Sequence, residues 1–276
     1  MTKKTAVKIA VTAALALMAS IAGCGKDKPD GAKTGAEQTE TPRSFKAEDF
    51  ADKTFAVLSG SSFDVVAREI IGTTMCRYYN TPLEVFEAVK SGAADAALME
   101  EPVARKFAAQ DPQIIALFPP ADIENYAYIF PKNNVNKLRD EFNAFLTKIR
   151  GDNTYNDMVK RWIDSPESPS MPEITLNPVK DKKLTFATSD CDPPFSFKTP
   201  DGKLEGFDVE LAKRFAQDAG YDIDIKVMEF PDIIPAVQSG RLDFASNLIT
   251  ITEERKMHID FSEPYYYGGT VVVTKR

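Results

Sequence analysis

The stretch Asp243–Arg255 contains residue types that can bind an anion. Its apolar residues predict a buried strand, and Thr250, Glu253 and Arg255 follow this strand directly. Thr250 and Glu253 have the spacing of a capping box, which predicts a helix that begins just after Thr250. A helix N-terminus offers unpaired N–H groups, and an arginine can grip a carboxylate through two parallel bonds. A capped surface helix with a solvated arginine is the alternative.

The sequence contains one internal similarity. Residues 88–97 and 236–245 each combine a helix end, a glycine and the start of a strand. We expect two lobes of similar build with a ligand cleft between them. The alternative is a coincidence, because a helix, a glycine and a strand often follow one another. Glu100 follows the first copy and Arg255 the second, so a carboxylate and a guanidinium would face each other. A zwitterionic ligand needs such a pair of opposite charges. The alternative for Glu100 is an acid in the first turn of a helix, before Pro102.

The composition argues against several classes of protein. The chain has 276 residues and a formal net charge of −7, which suits one large or two modest domains. This acidic balance argues against nucleic-acid binding, which needs a basic face. Because His258 is the only histidine and no Cys-x-x-Cys occurs, we expect no metal site, no cofactor and no Ser-His-Asp triad. Cys76 and Cys191 could form a disulfide after export, but their separation does not decide it.

The N-terminal residues have the pattern of an export signal. Lysines precede an apolar run over residues 9–22, which is too short for an ordinary transmembrane helix. The run ends in a sequence that resembles the lipobox of bacterial lipoproteins, which implies cleavage of residues 1–23 and lipidation of Cys24, for example with palmitate. An uncleaved anchor with an incidental cysteine is the alternative. Residues 24–45 are rich in Gly, Pro, Thr and charge, and we expect a flexible tether to the cell membrane.

Behind the tether, the pattern of strands and helices alternates. This alternation predicts an α/β protein with mostly parallel sheets. We expect strands over residues 54–59, 76–80, 95–99, 114–118, 126–130, 184–189, 222–228 and 268–276. We expect helices over residues 62–71, 82–91, 102–109, 136–149, 155–163, 207–219 and 233–238. Residues 165–182 contain four prolines and little periodicity, which is typical of a linker.

Several motifs occur in a fixed order. Between Lys183 and Arg276 they are Thr188–Phe195, Gly206–Ala212, Ile233–Ala236, Ile249–Arg255 and Asp260–Tyr266. In these motifs and their spacing, the segment resembles the first lobe of the polar amino-acid-binding proteins of bacterial ABC transporters, family 3 of the extracellular solute-binding proteins. Residues 53–164 resemble the second lobe and the closing helices of that family through Val57–Ser61, Ala94–Pro102, Tyr128–Lys132, Asn153–Asp157 and Lys160–Trp162.

The resemblance implies an α/β, two-lobed fold of the periplasmic-binding-protein type II class, with lobe 2 preceding lobe 1. Lobe 2 would span residues 46–132, the closing helices 133–164 and lobe 1 183–276, with residues 165–182 as linker. Each piece occurs once, so the chain resembles a circularly permuted binding protein in which only the crossover near Phe130–Asn133 stays covalent. A fragment of a longer tandem protein and a domain-swapped dimer are the alternatives.

The resemblance also assigns ligand-binding roles at the backbone end of an amino acid. Arg255 and the backbone of Thr250 and Ser62 would bind the α-carboxylate. Glu100, the Leu248 carbonyl and the Thr250 hydroxyl would bind the α-ammonium.

At the other end of the ligand, the sequence departs from the family. Phe230 matches an aromatic residue that packs on the ligand, although a plain core role is as plausible from the sequence. Ser189 replaces a common acid, Asp192 a usual aromatic residue and Leu58 a lysine or another polar residue. Asp192 could favour a cationic or amide-bearing ligand, or it could cap the turn before Pro193.

The implied function is binding without catalysis. The protein would be a lipid-anchored lipoprotein of the cell membrane that faces the periplasm or the exterior. It would capture a polar amino acid, or a similar small zwitterion, and deliver it to an ABC transporter permease. One alternative is an exported dehydratase of the cyclohexadienyl type, with Glu100 or Asp192 as general acid. The other is a sensory lipoprotein with a degenerate pocket.

Overall fold

The computed structural model describes residues 44–133, 137–164 and 169–276. The expected signal peptide over residues 1–23 and the expected lipidation site at Cys24 lie outside these described residues. None of the described helices has the length and hydrophobicity needed to cross a membrane.

The expected tether ends slightly earlier than residue 45. Ser44 forms a β-bridge with Phe118, and the N–H of Phe45 donates to the carbonyl of Phe118 at 2.9 Å. The last two residues of the expected tether are therefore already attached to the fold. The described residues form one compact unit.

The first half of the chain builds a five-stranded sheet. Its strands are β1 (Phe55–Leu58), β2 (Cys76–Tyr79), β3 (Ala96–Glu100), β4 (Ile114–Tyr126) and β13 (Tyr266–Lys275), in the order β2-β1-β3-β13-β4. β1 is parallel to β2 and to β3, and β1 and β3 are buried along their whole length, as expected for a parallel sheet covered on both faces. The helices are α1 (Phe63–Val66), which continues as a wider helical turn over Ala67–Ile71, α2 (Pro82–Ser91) and α3 (Glu101–Ala108).

α2 begins with a capping box. The Thr81 hydroxyl accepts from the N–H of Glu84, and the Glu84 carboxylate accepts from the N–H of Thr81. Such reciprocal bonds satisfy donors that the first turn of a helix leaves unpaired.

The second half builds another five-stranded sheet. Its order is β10 (Asp222–Val227), β6 (Lys183–Thr188), β11 (Phe244–Ala245), β5 (Ile129–Pro131) and β12 (Ile259–Phe261). A small sheet beside it contains β7 (Cys191–Asp192), β8 (Ser196–Lys198) and β9 (Leu204–Glu205). The helices are α4 (Leu138–Gly151), α5 (Thr154–Val159), which continues as a wider turn over Lys160–Asp164, α6 (Phe207–Ala219), α7 (Phe230–Gln238) and α8 (Glu253–Lys256).

The two large sheets share one topology. In each sheet, the strands from its own half of the chain lie in the order second, first, third and fourth. One strand from the other half lies between the third and the fourth, antiparallel to the third. We had placed β5 in lobe 2 and β13 in lobe 1, whereas each pairs in the opposite sheet. The chain therefore crosses twice between the sheets, at residues 127–128 and 262–265, and not once. The sequence did not indicate this exchange because strand propensity does not identify a strand's partner.

The two crossovers are hydrogen-bonded to each other. The N–H of Ser262 donates to the carbonyl of Tyr128 at 2.9 Å, and the N–H of Tyr265 donates to the carbonyl of Tyr126 at 2.9 Å. The Ser262 hydroxyl accepts from the N–H of Tyr128 at 3.1 Å. This paired segment is a two-stranded hinge between the sheets.

β4 is longer than the sequence indicated. We expected one strand to end at residue 118, before two prolines, whereas β4 continues through them to Tyr126. β4 lies at the edge of its sheet, and its register with β13 shifts between Leu117 and Asp122, so the missing N–H of each proline breaks no ladder bond. Gly269 on β13 makes room, because a Cβ there would lie 2.7 Å from Cβ of Pro120.

The closing helices dock on α6 through a buried carboxylate. Glu210 accepts from the guanidinium of Arg161 at 2.9 Å, from Nε of Arg214 at 2.8 Å and from the indole N–H of Trp162 at 2.6 Å. The Glu210 side chain has no exposed surface, while the two arginines are partly exposed.

A buried acid also lies beneath the hinge. Asp208, at the start of α6, accepts at Oδ2 from the Ser246 hydroxyl at 2.8 Å. The hydroxyl of Tyr128, on the first crossover, donates to the Asp208 carbonyl at 2.7 Å. Among the described residues, Oδ1 of Asp208 and the hydroxyl of Tyr265 have no hydrogen-bond partner. Burial raises the pKa of Asp208 to about 7.

We expect Asp208→Asn to remove one component of the pH dependence of stability. The pKa of Asp208 is higher in the folded state than its ordinary value, so the folded state binds more protons between about pH 4 and 7. Stability from this group is therefore greatest below that range and falls by about 1.4 kcal/mol per pH unit as the pH rises through it. In urea unfolding, the variant should gain stability relative to the wild type as the pH rises. A difference that stays constant with pH would contradict this, and the exposed Glu253→Gln is the control.

Candidate functional site

Five of the predicted site residues lie where strands of the two large sheets end. Leu58 and Glu100 are the last residues of β1 and β3. Ser189 directly follows β6, and Leu248 and Thr250 follow β11. The carboxyl ends of neighbouring parallel strands meet at one edge of a sheet, where α/β proteins bind ligands.

The cleft between these edges is closed. The guanidinium of Arg255 donates to the carbonyl of Gly60, in the other lobe, at 2.9 Å. A Cβ on Gly60 would lie 3.3 Å from Cα of Pro231, so the glycine permits this close approach. As a result Leu58, Ser189, Asp192, Phe230 and Leu248 are buried.

One end of the cleft contains a cavity of about 570 Å³, which we call the arginine cavity. Its lining includes Ser62, Glu124, Thr250 and Arg255. A second guanidinium nitrogen of Arg255 donates to the carbonyl of Thr250 at 2.9 Å. An arginine has five N–H donors, so donors remain for a ligand carboxylate.

The predicted helix cap lies two residues later than expected. The hydroxyl that accepts from the N–H of Arg255 belongs to Thr252, and α8 has only four residues. Thr250 instead lies opposite Tyr126 in an antiparallel bridge. The neighbouring residues form the bridge hydrogen bonds, so the N–H and carbonyl of Thr250 point away from Tyr126. The backbone near Arg255 is therefore oriented by strand pairing and not by a helix start.

Two backbone N–H groups at the arginine cavity are unused. Those of Thr250 and Ser62 donate to no group among the described residues. Each could therefore donate to a carboxylate held by Arg255, which is the arrangement that the family resemblance implies.

Leu248 has an unusual backbone conformation. Its φ is +51°, a left-handed value that is uncommon for a branched side chain and is often found at functional sites. The carbonyl of Leu248 accepts no hydrogen bond from the described residues. It is therefore available as an acceptor for an ammonium group.

Glu100 is a buried acid whose carboxylate has no partner. Only 6% of the residue is exposed, and within the described chain its carboxylate forms no ion pair and no hydrogen bond with another residue, while its own backbone N–H lies within reach of it. Burial raises the pKa of Glu100 well above its usual value, and the charge of Asp192 raises it further, while Arg255 opposes the shift. A buried, unpaired carboxylate of this kind favours a cation between the lobes.

Glu124 is a site residue that the sequence analysis missed. It is buried in the wall of the arginine cavity, where its carboxylate accepts from the hydroxyls of Ser62 at 3.2 Å, Tyr126 at 2.8 Å and Thr270 at 2.8 Å. Burial lowers the pKa of Arg255, and the charge of Glu124 opposes this shift most. Glu124 therefore balances the guanidinium from the hinge side. The signal available in the sequence was an acid directly before the first crossover.

The other end of the cleft contains a second cavity of about 270 Å³, which we call the acidic cavity. Asp190, Asp192, Glu229 and Phe230 are among its lining residues, and no lysine or arginine of the described chain lines it. Burial raises the pKa of Asp192.

Asn247 also escaped the sequence analysis. Its amide donates to Oδ2 of Asp192 at 3.0 Å and its Oδ1 accepts from the N–H of Ser189 at 3.2 Å. The hydroxyl of Ser189 donates to the same carboxylate oxygen of Asp192. Cys191 beside them is a free thiol, as is Cys76.

The sequence comparisons concern the second half of this site. Residues 184–276 match the bacterial extracellular solute-binding proteins, family 3. The matched segment runs from β6 to β13. It supplies Ser189, Asp192, Phe230 and Arg255, whereas Leu58 and Glu100 lie outside it.

Curated relatives match over a similar length. The arginine-binding extracellular protein ArtP of Bacillus subtilis is 42% identical over 34% of this chain and 37% of its own. The L-cystine-binding protein TcyJ of Escherichia coli is 37% identical over 38% of this chain and 40% of its own. A solved structure described as the arginine-bound form of domain 1 from TmArgBP is 32% identical over 34% of this chain and 80% of its own, with a TM-score of 0.30. The chain thus spans about two fifths of the length of these curated relatives.

Proposed function

We propose that the protein captures a polar amino acid between its two lobes and delivers it to an ABC transporter permease. The observation that carries the proposal is the unpartnered, buried carboxylate of Glu100 in a closed cleft that also contains Arg255. An α-amino acid presents one cation and one anion a few ångströms apart, which is the complement of this pair. The names of the relatives as amino-acid-binding proteins support the same class of ligand.

In this proposal each lobe contributes to both charged groups of the ligand. Arg255 and the N–H groups of Thr250 and Ser62 bind the α-carboxylate. Glu100, the carbonyl of Leu248 and the hydroxyl of Thr250 bind the α-ammonium. Ligand enters the open cleft and meets Arg255 first, and closure about the two-stranded hinge then brings Glu100 onto it. Lipidation of Cys24 would hold the protein at the membrane beside the permease.

We further propose that the chain is a circularly permuted binding protein. Phe55, at the start of β1, and Thr274, near the end of β13, both pair with Ala96 of the strand between them. Two strand spacings amount to about 10 Å, so a short loop could connect the end of β13 to β1. Such a loop, with a cut in residues 165–182, would restore the order in which lobe 1 comes first.

Calorimetry with the twenty L-amino acids tests these proposals together. The full chain carrying Cys24→Ser, which prevents lipidation, should be monomeric and should bind at least one polar amino acid with one site per chain. Ligand at 100 times its Kd should stabilise the folded state by about 2.7 kcal/mol. Matched titrations with D-amino acids are the control, because Arg255, Glu100 and the wall around the ligand side chain together select one hand.

Other results would contradict the proposals in different ways. A folded monomer that binds none of these amino acids would overturn the transport function and favour a sensory lipoprotein. Binding only by a dimer would favour the domain-swapped alternative. Turnover of a cyclohexadienyl acid would show an enzyme, with the protonated form of Glu100 as its general acid.

A further inference from the structure

We propose that the acidic cavity receives the cationic end of the ligand side chain, so that the captured amino acid is a basic one selected by Asp192. This inference rests on the proposed function, because it assumes that the α-carboxylate and the α-ammonium occupy the part of the cleft between Arg255 and Glu100.

The positions of the two cavities give the direction of the ligand. The arginine cavity and the acidic cavity have no lining residue in common. Arg255 lines the first and Asp192 the second. The charges of Arg255 and Asp192 both act on Glu100, so we place the backbone end of the ligand at Arg255 and Glu100 and its side chain towards Asp192.

Asp192 is held in place with one oxygen unused. Its Oδ2 accepts from the hydroxyl of Ser189 and from the amide of Asn247 at 3.0 Å. Its Oδ1 accepts no hydrogen bond from the described residues, and the residue is only 2% exposed. A fixed, desolvated carboxylate with a free oxygen is suited to a charge-assisted bond from a guanidinium or an ammonium.

The charge balance of the cleft favours a second positive group on the ligand. Glu100, Glu124 and Asp192 are buried acids, and Arg255 is the cation that faces them. A zwitterion with a neutral side chain leaves this excess of negative charge unchanged, whereas a basic side chain reduces it. The raised pKa of Glu100 reflects repulsion by Asp192 in addition to burial, so a cation between the lobes also favours closure.

The wall of the acidic cavity suits a cation in a second way. The ring of Phe230 lines the cavity beside the acids, and an aromatic face attracts a cation within about 6 Å of its centre. Lysines and arginines, which would repel the ligand, are missing from the described lining.

The decisive comparison is between L-arginine and L-citrulline, which have the same shape but differ in side-chain charge. We expect the wild type to bind L-arginine or L-lysine about 10- to 100-fold more tightly than L-citrulline or L-glutamine, as for a charge-assisted bond in a buried site. Asp192→Asn should reduce the ratio of the arginine and citrulline affinities by about tenfold or more. Its melting temperature without ligand checks the fold.

Asp190→Asn is the matched control. Asp190 lines the same cavity, but its carboxylate is already paired with Nζ of Lys198 at 2.5 Å. We therefore expect this variant to keep the preference of the wild type for arginine.

The outcomes separate the two proposals. A wild type that binds neutral amino acids as tightly as basic ones would overturn the inference but leave the proposed function in place. The same holds if Asp192→Asn keeps the wild-type ratio. If no amino acid binds, both proposals fall. The ratio of the arginine and citrulline affinities can be measured on the wild type alone, so it tests the inference even if Asp192→Asn does not fold.

Discussion

Arg255→Ala is expected to weaken amino-acid binding by at least about 30-fold. Arg255 lines the arginine cavity, and in the proposed function its guanidinium binds the ligand carboxylate. Truncating one partner of a buried charged pair costs about 2–5 kcal/mol, and each 1.4 kcal/mol is tenfold in Kd. The variant also loses the bond to the carbonyl of Gly60, which connects the lobes. Calorimetry with the best ligand of the wild type measures the effect.

Two further variants sharpen this experiment. Arg255→Lys keeps the positive charge but loses the planar guanidinium that can form two parallel hydrogen bonds to a carboxylate, so we expect intermediate affinity. Arg241→Ala removes an exposed arginine whose Nε donates to the hydroxyl of Ser239, and it should leave the affinity unchanged. If Arg255→Ala binds as tightly as the wild type, Arg255 does not hold the carboxylate.

Glu210→Ala is expected to lower the free energy of unfolding by about 3–5 kcal/mol. The carboxylate is fully buried and holds Arg161, Arg214 and the indole of Trp162. Without it, two guanidinium groups and an indole N–H lose their acceptor, and the closing helices lose their main polar attachment to α6. Urea unfolding followed by far-UV circular dichroism and by the fluorescence of Trp162 measures the loss.

The matched variants for this prediction differ in charge and in exposure. Glu210→Gln keeps one acceptor oxygen, so its effect should be smaller than that of alanine. Glu253→Ala removes an acid from an exposed ion pair with Lys256, and it should have no measurable effect. Equal stability of Glu210→Ala and the wild type would show that the closing helices are held by apolar packing alone.

Local structure was predictable where the signal is local. α6 begins at Phe207 and ends at Ala219, as its apolar spacing predicted, and Gly220 ends it with a φ of +73°. The capping box of α2 was predictable for the same reason, since Thr81 and Glu84 interact within one turn.

The errors occurred where distant residues decide. Two prolines indicated a break in β4, but the position of β4 at a sheet edge makes them harmless. The cap of α8 lies at Thr252 because Thr250 pairs with Tyr126 on the first crossover. The exchange of β5 and β13 between the sheets depends on partners that strand propensity does not identify.

The sequence alone determined the chemical groups of the site and their places at strand ends. Arg255 and Glu100 were recognisable because each follows a predicted strand, where α/β proteins bind ligands, whereas Asp192 was singled out by the family resemblance. The tertiary structure decided which of these groups face each other and which stay unpaired. Glu124 and Asn247 entered the site only through the hinge and the packing around Asp192. Burial and pairing depend on contacts between residues far apart in sequence, and they determine whether a carboxylate is a surface charge or a binding site.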